Sequence, residues 1–157
     1  MKIKLAKSEI IHFVGIGGIG MSGLALVMSR MGFKVQGSDI SLNKNIERLK
    51  KNGIKIFIGH EKKNILNSTI IVISSAVKKS NIEYILAKNK NLPIYKRGDM
   101  LGHITSLTKN IVVVGSHGKT TTTSLVAGIL SSTNLDPTII NGGVLKSFNN
   151  SARLGKS

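Results

Sequence analysis

Cysteine is absent from the 157-residue chain, which excludes disulfide frameworks, thiolate metal sites and cysteine nucleophiles. A reducing compartment suits such a chain, and a cytoplasmic protein is the expectation. Aromatic residues are scarce, 4% against 41% hydrophobic, so a core must be filled by Ile, Val, Leu and Met, the usual content of buried parallel sheets. Long apolar runs are also missing. The basic start, Met1 to Lys7, leads into a short apolar stretch broken by His12 and Gly15, unlike a secretion signal, and no later run is long enough to span a bilayer. Neither export nor a membrane partner is expected.

Acidic residues number 7 against 23 basic ones, a net charge of +16. So basic a domain can be a nucleic-acid binder. Here, however, lysines such as Lys44, Lys50, Lys62, Lys78 and Lys88 are spread over loops and helix faces, without an arginine-rich stripe or interleaved aromatics for base stacking. No nucleic-acid partner is expected, and the positive field favours small anionic ligands.

What the sequence does have is alternation. Short β-branched runs (10–15, 33–38, 55–58, 69–74) alternate with amphipathic stretches (18–31, 43–52, 81–89), the pattern of successive βα units in a parallel sheet. Pro93-Ile94-Tyr95 predicts a short edge strand, where the missing proline N–H is harmless, and Asp99 to Leu107 a further helix. The polar Thr108-Lys109-Asn110 precedes a new strand, Ile111 to Val114. The expected division is therefore 1–108, a Rossmann-like α/β domain, and 109–157, the beginning of a phosphate-loop ATPase domain. From Asn141 onward turn formers dominate, and no strand is expected there. Half a sheet would expose apolar edges and invite self-association.

Two glycine loops carry chemistry. Gly15-Ile16-Gly17-Gly18-Ile19-Gly20 matches G-x-G-x-x-G at a strand-to-helix junction. Gly15 allows the tight turn, Gly17 lets the backbone approach a diphosphate, and Gly20 permits close helix-on-strand packing. The helix N-terminus adds unpaired N–H groups and partial positive charge. Asp39 ends the second strand, where an acid can bond ribose hydroxyls. These features fit a nucleotide diphosphate and leave NAD and a UDP-sugar equally open.

The second loop, Gly115-Ser116-His117-Gly118-Lys119-Thr120-Thr121, departs from G-x-x-x-x-G-K-[ST] because Val113 stands six before Lys119. Its parts still serve ATP with Mg2+: consecutive N–H groups form an anion nest, Lys119 reaches the outer phosphates, and Thr120 can place its hydroxyl on the metal. Gly155-Lys156-Ser157 mimics the tail of such a loop without a leading glycine and is taken as coincidence.

The run from His12 to Gly23 followed by Gly115 to Thr123, together with Gly37-Ser38-Asp39, Gly59-His60, Ser74-Ser75-Ala76, Arg97 to Leu101, Asp136-Pro137-Thr138 and Gly142-Gly143, resembles the Mur ligase family over nearly the whole chain. His117, where other branches carry Asn, and Gly20-Met21-Ser22 favour the branch that adds L-alanine. Ser116 in place of Thr, and Gly98-Asp99 in place of Ala-Glu, are departures. The resemblance implies a three-domain enzyme with ATP and Mg2+, joining L-alanine to UDP-N-acetylmuramate through an acyl-phosphate. It places the UDP moiety on Gly15 to Gly20, Asp39 and Ser74-Ser75, and ATP on Gly115 to Thr121. Lys119 would neutralise charge on the transferring phosphoryl group. His117 either lines the gap between ATP and the carboxylate or packs for shape. The resemblance also implies further catalytic groups beyond Ser157, so the piece alone is expected to be inactive. Alanine-dependent phosphate release by it would refute that.

Overall fold

The computed structural model describes residues 5–107, 109–145, 150–153 and 155. Five strands form one parallel sheet: β1 (Ile10–Val14), β2 (Lys34–Asp39), β3 (Lys55–Ile58), β4 (Ile70–Ile73) and β5 (Ile94–Lys96), in the order β3-β2-β1-β4-β5. The expected βα alternation is present, and β5 lies at the sheet edge as Pro93 suggested. In β1 Ile11, Phe13 and Val14 are fully buried, which suits the strand at the centre of a sheet covered on both faces.

Helix α1 (Ile19–Arg30) is buried continuously from Met21 to Met28. It packs on the sheet and against α2 (Lys44–Lys51) and α4 (Arg97–Thr105). The other sheet face is closed by a 3-10 turn at Lys62–Ile65 and by α3 (Ile82–Asn89), around Val14, Ile65, Ile71 and Ala87. Among the described residues no helix is long and apolar enough to cross a membrane.

Two expectations are corrected beyond residue 108. Residues 111–114 form no strand: Ile111, Val112 and Val114 are mostly exposed and have no neighbouring ladder, without which an extended chain is not a strand. Conversely, β6 (Ile139–Leu145) and β7 (Asn150–Arg153) form an antiparallel pair where only turns were expected. The pair packs against α1, with Ala152 joining the main core. Tertiary burial thus overrides the poor strand propensity of Asn141-Gly142-Gly143. Between these segments lies α5 (Lys119–Ser131), the helix expected after the second glycine loop. Thr108, Lys156 and Ser157 lie outside the described residues.

Candidate functional site

The chain turns at the carboxyl end of β1. Gly15 adopts φ +79°, a conformation that favours glycine, and the N–H groups of Gly15 and Ile16 both donate to the Ser38 carbonyl, at 2.9 and 3.0 Å. The fully buried Ile16 side chain then packs over Gly37, where an added Cβ would lie 2.6 Å from Ile16 Cδ1. Helix α1 follows, with Gly18 as an N-cap that supplies no side-chain cap. A helix begun in this way leaves backbone donors for an anion.

Above the ends of β1, β2 and β4 lies an open cleft of about 550 Å³. Among the expected residues Gly15, Gly17, Gly18, Asp39 and Ser74 line it, whereas Ile16, Ile19, Gly20 and Ser75 do not. Asp39 Oδ2 accepts from the Gly17 N–H at 2.7 Å, while Oδ1 has no protein hydrogen bond among the described residues. The reasons for two glycines differ from expectation. A Cβ at Gly17 would meet Asn43 Nδ2 at 2.6 Å and Asp39 Oδ2 at 2.9 Å, and one at Gly20 would meet the Arg97 side chain at 3.2 Å rather than a strand.

Sequence reasoning missed His60, Asn43 and Asn81, which also line the cleft. Asn43 and Asn81 accept from the first N–H groups of α2 and α3, so an N-cap pattern before each helix was the available signal. His60 stands at the rim of a buried polar cluster beneath the cleft. Glu83, fully buried, accepts from Ser38 Oγ at 2.5 Å, from Asn64 Nδ2 at 2.6 Å and from His60 Nδ1 at 3.0 Å, with His12 Nε2 at 3.5 Å. Burial would push its carboxyl up, but hydrogen bonds from His12, Ser38 and Asn64 outweigh that and hold it down at about 2.

The second loop is exposed throughout, including His117. Gly115 and Gly118 take φ +153° and +74°, and α5 starts at Lys119 without a side-chain cap. The Lys119 ammonium folds back to donate to the carbonyls of Gly115 and of Ser116, the latter at 3.0 Å. This arrangement fits a phosphate, toward which the lysine need only swing outward. For a metal, Thr120 offers one oxygen, and among the described residues no group of three His, Asp or Glu could hold an ion. Magnesium there would have to be shared with nucleotide phosphates.

Residues 10–109 match the family model described as Mur ligase family, catalytic domain. The chain belongs to the Mur ligase family. It is 74% identical over 157 residues to the UDP-N-acetylmuramate--L-alanine ligase of Pelagibacter ubique, covering 100% of this chain and 34% of that protein. The enzyme of the same name from Bartonella bacilliformis is 52% identical over 99% of this chain and 32% of its own length. Among solved structures, UDP-N-acetylmuramate-alanine ligase of Thermotoga maritima superposes with a TM-score of 0.85 at 35% identity, covering 94% of this chain and 35% of that one. The chain therefore spans about a third of the length of these Mur ligases, and its α/β architecture is theirs.

Proposed function

We propose that the chain holds the UDP moiety of UDP-N-acetylmuramate in the cleft above β1 and contributes the phosphate loop of an ATP site, within a ligase that adds L-alanine. The observation that carries this reading is the 74% identity, over all 157 residues, to a ligase of that name. The geometry supports it. The glycine turn Gly15, Gly17 and Gly18 lines the cleft beside the start of α1, where a diphosphate would lie, Asp39 offers Oδ1 to ribose hydroxyls while Oδ2 braces Gly17, and Ser74 closes the β4 side. In the second loop the backbone from Gly115 to Thr121 positions the nucleotide phosphates, Lys119 balances charge on the transferring group, and Thr120 gives its hydroxyl to Mg2+. Bound ATP would supply the phosphoryl group that activates the muramoyl carboxylate for attack by the alanine amine. Nucleotide substrates make the cytoplasm its proposed place of action.

Calorimetric titration separates this reading from a nicotinamide-dependent oxidoreductase, whose cofactor the first loop alone could also take. UDP-N-acetylmuramate should bind and should displace any weakly held NADH. NADH binding that UDP-N-acetylmuramate does not compete with would overturn the proposal.

A further inference from the structure

The buried cluster under the cleft has no part in the reading above, yet its hydrogen bonds determine where one proton lies. Glu83 is an anionic acceptor, and Ser38 donates its only hydroxyl hydrogen to it. His60 Nδ1 lies 3.0 Å from Ser38 Oγ and 3.0 Å from Glu83 Oε2. Both neighbours can therefore only accept, and Nδ1 must carry the hydrogen. Asn64 Nδ2 fills Oε1 and the Glu61 N–H approaches it at 3.3 Å, so Glu83 cannot turn away. The opposite ring nitrogen of His60, Nε2, has no protein partner among the described residues, and the ring lines the cleft.

We propose that Glu83 is a positioning residue for nucleotide recognition: it pins Nδ1–H of His60 inward, so that the neutral ring presents Nε2 to the cleft as an acceptor for an N–H or O–H of the nucleoside. This inference rests on the nucleotide reading of the cleft. Glu83→Gln breaks the logic without removing volume. An amide NH2 at the Oε2 position would face His60 as a donor and let the hydrogen move to Nε2, where it repels the nucleoside donor.

The test uses the 157-residue chain at pH 8, with UDP and inorganic pyrophosphate as probes and long-range 1H–15N spectra of the histidine rings. In the wild type His60 should be the Nδ1–H tautomer. E83Q should lose that tautomer and bind UDP about tenfold more weakly, with pyrophosphate binding unchanged. H60Q should show the same selective loss, and E83Q added to H60Q should cost no more UDP affinity, since one acts through the other. Three results would overturn the proposal: a wild-type Nε2–H tautomer, E83Q or H60Q binding UDP as well as wild type, or additive losses in the double variant. Should E83Q fail to fold, the wild-type spectrum and H60Q still decide. A wild type that binds no UDP removes the nucleotide reading along with this inference, whereas UDP binding indifferent to these variants removes this inference alone.

Discussion

Gly17 shows how a glycine can be required for a reason its motif does not state. The motif asks for a missing Cβ so that a diphosphate can approach, yet the vacated space is filled by Asn43 and Asp39. Asn43 also caps α2 by accepting from the Ile46 N–H at 3.0 Å, so the loop, Asp39 and the next helix close on one another. Glu83 is the opposite case: nothing in its local sequence distinguishes it from a solvated glutamate at a helix start, and only folding surrounds it with donors. Its carboxyl, at about 2 folded against an ordinary 4.5, stabilises the fold fully above pH 4.5. That contribution, about 3 kcal/mol, is lost as pH falls from 4.5 through 2, because the unfolded chain takes up the proton first. Urea midpoints measured from pH 5 down to pH 2.5 should fall steeply in the wild type and more gently in E83Q. Parallel acid limbs would contradict this.

Helices α1, α2 and α3 end by one device. In each, a left-handed residue follows the C-cap: Gly32 at φ +87°, Gly53 at +78° and Asn91 at +53°. The next N–H then bonds five residues back, Phe33 to the Met28 carbonyl, Ile54 to Leu49 and Leu92 to Ala87, at 3.1, 3.1 and 3.0 Å, and an apolar side chain turns inward to begin the approach to the following strand. Two of the three stops use the glycine that flags a helix end. Asn91 is the residue type that tolerates this conformation next best, so Asn91→Ala should lower unfolding free energy by about 1 kcal/mol and Asn91→Gly should hold or raise it. Denaturant midpoints of the pair check this, and equal values would be inconsistent with the geometry. The pairing of β6 with β7 had a quieter signal. Helix α1 carries no polar face from Met21 to Met28, and a helix apolar all round must be covered on every side.

At the scale of the whole molecule, the order β3-β2-β1-β4-β5 puts the carboxyl ends of the central strands at the floor of the cleft, the place where open α/β sheets bind ligands. The net charge of +16 surrounds that site with a field that attracts anions and also repels itself. Adding salt from about 20 to 200 mM shortens the screening length, so the melting temperature should rise, and a fall would argue that attractive pairs outweigh the excess charge. The sequence by itself determined the βα alternation of the first sheet, the first glycine loop at a strand-to-helix junction, the helix after the second loop and Asp39 at the end of its strand, because backbone preference and hydrophobic period act over a few residues. Only the tertiary structure decided that His12, Ser38, His60, Asn64 and Glu83 share one buried carboxylate, that residues 111–114 lack a ladder, and that a glycine-rich hairpin covers α1. Those outcomes depend on which surfaces meet, and the energy that selects them exists only once distant segments have left water together.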